Sequence, residues 1–516
     1  MRKLALSVLL SLVAAQTPPP RPAAPFRLEE TTIRQIHDAM RSGQLTCRAL
    51  VDDYLRRIQA YDKNGPALNA IVVVNPNADK EADELDVRFR QGGLTGPLHC
   101  IPTIVKDNFE TIGLQSAAGS LALEGFVSNK DAFLVKRMKD AGALVLAKSN
   151  MAEWAFSPYE TVNSILPGYT KNPYALDRVT AGSSGGTAAA IASNLGAVGL
   201  GSDTGNSIRG PSSHNALVGI RSTMGLTSRA GVIPLTLLAD IAGPMTRTVE
   251  DAATIFQVIV GEDPDDPATA ASHGRAVPDY SKSLDANGLR GARIGILRQA
   301  YERDSLDPEV NDVFMAAIAD LKLAGGVIVD PVRVDLASVR RPEGTGPCGG
   351  FKYDINRYLA AQGERVKVHS LEEVIRSRKF HPSIEWRLRQ AQEGPENGPD
   401  TPACKADAEY RDQFRAAVAR TMDDARLDAF VYPTWSNPPR LIGDLNTPAG
   451  DNSQVFSPTT GWPAVNVPMG YTRGTLPAGM TFFGRAWSEA TLIKFAYAYE
   501  QATHHRHPPA STPPLR

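Results

Sequence analysis

Strands and helices alternate along this chain, and the alternation predicts an α/β protein with a twisted, mostly parallel or mixed β-sheet covered on both sides by α-helices. Three observations predict it. Apolar runs of strand length, at 68–74, 143–148, 293–297 and 327–332, are separated by stretches with helical spacing. An alanine-rich segment follows a glycine-serine turn and leads directly into another apolar run at 197–200. The composition is globular, with 42% hydrophobic and 22% charged residues. A length of 516 residues accommodates one large α/β domain or two ordinary ones. The formal net charge of −1 gives no electrostatic footprint for a nucleic acid or an anionic membrane.

The first 15 residues read as a signal peptide: Arg2 and Lys3, an apolar stretch over 4–13, and the small-residue site Val13-Ala14-Ala15. The apolar stretch is too short to span a bilayer, which needs about 20 residues. No later segment is long and apolar enough to do so. Residues 16–26 are a proline-rich, extended tether. The expectation is an exported, soluble protein, periplasmic or secreted. The four cysteines, Cys47, Cys100, Cys348 and Cys404, contain no Cys-x-x-Cys, which argues against a zinc site. Cys47 falls on an expected helix and Cys100 beside an apolar run, so both are expected to be small buried residues. Cys348 and Cys404 lie in looser sequence and are the better disulfide candidates in an oxidising compartment.

The elements follow in order. Thr32 starts a helix with Ile33, Ile36 and Met40 on one side, and Thr46 caps the next, where Leu50, Val51, Tyr54, Leu55 and Ile58 recur at helical spacing. A buried strand at 68–74 and a polar-faced helix at 78–90 come next. The run 97–105 is apolar and extended, which puts Lys106 at a strand end or in the turn after it. Helix 133–141 and strand 143–148 precede the glycine-serine core at 180–209. Thr248 begins a helix carrying Ala252, Ala253, Ile255, Phe256 and Val260; 261–291 is loop-rich; strands at 293–297 and 327–332 flank a helix over 309–324. Helices are expected around Tyr353, Leu371 and Phe414, with a glycine-proline break at 394–402. No internal repeat is present. His504, His505 and His507 sit beside a proline-rich tail at 506–516 with no carboxylate or cysteine nearby in sequence, the pattern of a solvated tail rather than of a metal site.

The core carries two glycine-serine turns. The first is Gly182-Ser183-Ser184-Gly185-Gly186, and the second is Gly201-Ser202-Asp203-Thr204-Gly205-Asn206-Ser207. Such turns let backbone N–H groups face a ligand without an intervening side chain. Ser183 and Ser207 are 24 positions apart, and Ile101-Pro102-Thr103-Ile104-Val105-Lys106-Asp107 lies upstream. In these three blocks the chain resembles the amidase signature family, closest to its peptide amidase-like branch through Gly225-Leu226-Thr227-Ser228-Arg229 and Tyr497-Ala498-Tyr499-Glu500-Gln501-Ala502-Thr503. Further matches are Gly243-Pro244-Met245, Tyr432-Pro433-Thr434, Gly461-Trp462-Pro463-Ala464 and Val467-Pro468-Met469-Gly470. The resemblance covers roughly 30–505, weakest at 261–426, and implies a single large domain over 27–505.

The resemblance also implies a chemistry. An amide is a poor electrophile with a poor leaving group, so its cleavage calls for an activated nucleophile, an oxyanion site and a proton for the departing nitrogen. The family assigns those roles to Ser207 as nucleophile, Ser183 as bridging serine after a cis peptide bond, and Lys106 as base. The backbone N–H groups of Thr204, Gly205, Asn206 and Ser207 would form the oxyanion hole. Ser184 would support the relay, and Asp203 and Arg209 would form an ion pair holding the turn. Lys106 must be neutral to accept a proton, so its pKa must fall from about 10.4; Asp107 beside it would oppose that unless turned away. No cofactor or metal is implied. The expected substrate is a small-molecule or peptide amide, the expected assembly a monomer or homodimer.

Three departures stand out. Cys100 replaces a glycine of the lysine block, Asn206 replaces the second glycine of the nucleophile turn, and Arg221-Ser222-Thr223 replaces a commoner Lys-Pro-Thr. If φ is positive at 206, asparagine is the best-tolerated substitute for glycine there. Two other functions fit the family resemblance: the glutaminase subunit of a tRNA-dependent amidotransferase, and a non-catalytic binding protein on the same scaffold. The leader argues against the first, and the three filled catalytic positions against the second.

Overall fold

The computed structural model describes residues 26–340, 348–396 and 398–515. The leader over 1–15 and the tether over 16–26, except for Phe26, lie outside the described residues.

Thirteen strands are named in chain order: β1 Ile71–Val74, β2 Pro102–Lys106, β3 Leu144–Ser149, β4 Lys171–Asn172, β5 Ala175–Val179, β6 Val198–Asp203, β7 Val218–Arg221, β8 Ile241–Thr246, β9 Arg293–Leu297, β10 Val327–Val332, β11 Ala429–Pro433, β12 Ala464–Thr472 and β13 Leu476–Phe483. Eleven of them form one open sheet in the order β1-β3-β2-β6-β8-β7-β12-β13-β11-β9-β10, while β4 and β5 pair separately. The sheet is mixed: β2 runs parallel to β3 and β6, and β9 parallel to β10 and β11. β8 is antiparallel to β6 and β7, and β12 to β7 and β13.

Every residue of β2, β3, β6, β7, β8, β11 and β13 is buried. Successive side chains of a strand point to opposite faces, so uninterrupted burial means that both faces are covered. The expected α/β architecture is what the chain adopts. The helix Gly185–Ala192 lies on β2 and β6, Val249–Ile259 on β8, and Pro308–Leu323 and Glu489–Thr503 on β12. All eight residues of Gly185–Ala192 are buried, which explains its small side chains: alanine and glycine allow close approach to the sheet.

The expected caps form. Thr32 accepts from the Gln35 backbone N–H and Gln35 bonds back, closing a capping box before Ile33–Arg41. Thr46 and Thr248 cap Cys47–Arg57 and Val249–Ile259 with their side-chain oxygens, which accept from the Ala49 and Asp251 N–H groups. A second, smaller apolar cluster joins the helices Phe351–Gln362, Leu371–Ser377 and Glu385–Glu393 to Ala117, Phe126, Met151, Trp154 and Phe156. It forms a helical cover beside the carboxyl ends of the sheet's first strands.

Two expectations need correction. Cys47 and Cys100 are fully buried, yet they are joined in a disulfide, as are Cys348 and Cys404. Spacing gave no hint of the first pair because only the fold brings helix Cys47–Arg57 onto the segment before β2. The C-terminal segment is not a free solvated tail. Arg506 pairs with Glu30 and donates to the carbonyls of Ala192 and Ala216. Arg57 donates to the carbonyls of Thr512 and Pro513, and His507 stacks on Tyr471 with ring centroids 4.0 Å apart.

Candidate active site

β2 and β6 are parallel neighbours, so their carboxyl ends emerge side by side, where open α/β sheets commonly bind ligands. β2 ends on Lys106 and β6 on Asp203. The turn 180–184 closes the same corner, and its Gly182–Ser183 peptide bond is cis. Glycine is required at 182 by close approach: a Cβ there would lie 2.4 Å from the Ser157 carbonyl oxygen and 2.5 Å from that of Glu160.

Lys106 is fully buried. Its Nζ lies 2.8 Å from Ser183 Oγ, 2.9 Å from Ser202 Oγ and 3.2 Å from the Ser202 carbonyl oxygen. Burial disfavours its charged form and lowers its pKa to about 7 against the opposing charges of Asp203 and Asp240. Asp107 is turned away. Its Oδ2 accepts from the N–H groups of Ala117 and Gly119, and its Oδ1 lies 3.9 Å from Lys148 Nζ. Ser184 Oγ donates to the Ser202 carbonyl at 3.2 Å, which ties the first serine turn to the strand leading into the second.

Ser207 lines a cavity of about 330 Å³ together with Thr204, Gly205 and Asn206. Ala155, Phe156, Pro158, Tyr159, Leu235 and Arg387 are among its other lining residues. Among the described residues, Ser207 Oγ has no hydrogen-bond partner, and the backbone N–H groups of Thr204, Gly205, Asn206 and Ser207 donate to no protein acceptor. Four successive free donors beside a free hydroxyl are what an anion-binding turn requires.

Asp203 holds that turn. Its Oδ2 accepts from the Ile208 N–H at 3.1 Å and from Arg209 Nε at 3.1 Å, and Arg221 Nη1 reaches Oδ1 at 3.0 Å. Burial alone would raise the Asp203 pKa, but the two guanidinium groups outweigh it and hold the carboxyl at about 2. Arg209 also donates to the Gly205 carbonyl at 2.7 Å. The expected Asp203–Arg209 pair is therefore a triad with Arg221, which also binds the carbonyls of Asp203 and Ala239 and Ser457 Oγ. Sequence reasoning noted the departure at Arg221 but missed its place in this cluster. It also missed Ser202 and Asn108, whose Nδ2 donates to Ser202 Oγ at 3.0 Å. Those residues lie in the quoted blocks or next to them, but their side-chain directions depend on the sheet register.

Asn206 is a further correction. It is not among the residues with positive φ, so the glycine it replaces is not demanded by a left-handed backbone. Its side chain is buried against Gly210, where a Cβ would lie 2.2 Å from both amide heavy atoms, and neither amide atom has a hydrogen-bond partner. Of the three histidines near the C-terminus, His505 Nε2 is 3.3 Å from Asp320 Oδ2, while His504 and His507 are exposed.

Comparison with known proteins agrees with this geometry. The chain is 34% identical to a probable amidase of Arabidopsis thaliana, over 95% of this chain and 93% of that one. It is 32% identical to a glutamyl-tRNA(Gln) amidotransferase subunit of Acinetobacter baumannii, over 92% and 96%. The native peptide amidase of Stenotrophomonas maltophilia superposes with a TM-score of 0.83 at 38% identity, covering 94% of this chain and 99% of that structure. The sequence pattern of the Amidase family matches residues 49–493, which contain the lysine and both serine turns, and the chain belongs to that family of amide-hydrolysing enzymes.

Proposed function

We propose that the protein is an exported amidase in which Ser207 is the nucleophile, Ser183 the proton bridge and Lys106 the base. The observation that carries this reading is the buried Lys106 Nζ 2.8 Å from Ser183 Oγ, together with a cavity lined by Ser207, whose turn holds four unpaired N–H groups. Ser207 Oγ attacks the amide carbonyl carbon. Its proton passes to Ser183 Oγ, whose own proton moves to the neutral Lys106. The oxyanion is held by the N–H groups of 204–207. Collapse breaks the C–N bond, and the departing nitrogen takes a proton back along the relay. Water then attacks the acyl-enzyme by the same route and releases the carboxylic acid. The balance is amide plus water to acid plus ammonia or amine.

The substrate class we infer is an unsubstituted carboxamide on a moderately apolar body, such as a peptide C-terminal amide. The likeness to peptide amidase and the walls of Phe156, Pro158, Tyr159 and Leu235 support it. Two disulfides support an oxidising compartment, in keeping with the leader. The test is ammonia release from peptide amides and from free glutamine, together with phosphonofluoridate labelling. Release from peptide amides, its abolition in Ser207→Ala and labelling at Ser207 are expected. Labelling of Ser183 or Ser184 would overturn the role assignment, and turnover of glutamine alone would favour a glutaminase of the amidotransferase kind.

A further inference from the structure

The loop 150–160 stands between the proposed relay and the helical cover. On the relay side, the Ala152 N–H donates to the Ser183 carbonyl at 3.0 Å, and the Gly182 N–H donates to the Pro158 carbonyl at 2.8 Å. The loop thus grips the backbone on both sides of the Gly182–Ser183 link. On the cavity side it supplies Ala155, Phe156, Pro158 and Tyr159. On the cover side, the rings of Trp154 and Phe156 meet Phe351 edge-on, with centroids 5.8 Å and 4.6 Å apart, and Arg387 donates to the Phe156 carbonyl.

This loop is strained where it turns. Trp154 and Ala155 have φ of 52° and 59°, consecutive left-handed residues with side chains, a conformation in which Cβ crowds the following carbonyl oxygen. Such geometry persists only when its surroundings over-determine it. Immediately before the pair comes Glu153, 1% exposed, with no cation in an ion pair among the described residues. Its Oε2 accepts from the His381 N–H at 2.9 Å and from the Ser164 N–H at 3.0 Å, and its Oε1 from Ser164 Oγ at 2.9 Å. His381 belongs to the cover, between the helices Leu371–Ser377 and Glu385–Glu393. A carboxyl buried between two layers, with all its bonds directed at backbone and hydroxyl donors, acts as a clasp.

We infer that Glu153 is a positioning residue for amide hydrolysis: it clasps the strained 150–160 loop to the helical cover, and through that loop fixes the Ser183 backbone and the cavity wall. The inference rests on the relay proposed above. Without the clasp the loop relaxes, and the bridging serine and the wall shift together. A misplacement of about 1 Å at a reacting centre can cost on the order of 100-fold in rate.

The test uses the full chain and two variants. Glu153→Leu keeps the volume and removes every acceptor. Glu153→Gln can place its oxygen toward the two N–H groups and its NH₂ toward Ser164 Oγ, so it recovers the bonds without the charge. Active sites are counted by phosphonofluoridate labelling of Ser207, and kcat per labelled site is measured on a primary peptide amide. Glu153→Leu is expected to lose about 10- to 100-fold in kcat per labelled site, with KM raised, while Glu153→Gln recovers most of that loss. A purely structural role would lower only the number of labelled sites; unchanged kcat per site in Glu153→Leu would overturn the inference. So would equal impairment in both variants, which would trace the effect to charge instead of acceptor geometry. Failure to label Ser207 in the unmodified protein would sink the relay itself, a distinguishable result.

Discussion

Replacing Lys106 with methionine should abolish turnover and yet make the protein relatively more stable in acid than in base. Lys106 is fully buried, and its pKa falls from 10.5 to about 7 on folding. A group depressed in this way contributes stability that is present above its unfolded pKa and lost as pH falls through its folded pKa. The loss therefore accumulates between about pH 10.5 and 7 and is complete below that. Integrating the linkage relation with these two values gives a change of roughly 2–3 kcal/mol between pH 9 and pH 6. The stability of Lys106→Met relative to the unmodified protein should grow by that amount over the same interval, because methionine has similar bulk and no charge to desolvate. Urea unfolding of both proteins at the two pH values measures it, and the contribution of every other titrating group cancels in the comparison. A difference that stays constant with pH, or moves the other way, would refute the claim that Lys106 is neutral in the folded protein near pH 7. The rate carries the same signature. At pH 7 about half of the Lys106 side chains are neutral, against roughly 3 in 10,000 for an unperturbed lysine. kcat/KM should therefore climb tenfold per pH unit up to about 7 and level off above it.

Other changes report on the supports of the site. Gly210→Ala drives a methyl group into the buried Asn206 amide, so it should cost about 1–3 kcal/mol by overpacking; adding Asn206→Ala should restore most of that in urea unfolding. Arg221→Ala leaves the buried Asp203 with one guanidinium in place of two and should destabilise by about 3–5 kcal/mol while lowering kcat. Arg221→Lys, which has one charged head for several acceptors, should recover only part of the rate. Replacing Cys47 and Cys100 with serine opens a loop closed across 53 residues, a loss on the order of 4 kcal/mol on the chain-entropy account, read as a fall in the urea midpoint.

The sequence by itself determined the elements and the chemistry they carry. Thr32, Thr46 and Thr248 mark helix starts because a cap needs only a hydroxyl within three residues of the N–H it binds. The apolar runs at β2, β3 and β9 could be read because burial on a sheet selects the same residue types wherever the strand lies. Ser183 and Ser207 stand in contiguous glycine-serine blocks and Lys106 at the end of an apolar block, so the family resemblance could be read residue by residue. The tertiary structure decided everything that depends on which strand lies beside which. The parallel pairing of β2 with β6 brings Lys106 to Ser183 and Ser202 across 77 and 96 residues of chain. The third member of the Asp203 cluster, Arg221, arrives from β7, two strands away in the sheet order. The Cys47–Cys100 disulfide, the docking of 506–513 on Arg57 and Glu30, and the Glu153 clasp on His381 also join segments far apart in sequence. Propensity and capping act over a few residues and leave a local signature. Long-range pairing is selected by the packing of the whole sheet, so no short window of sequence records it.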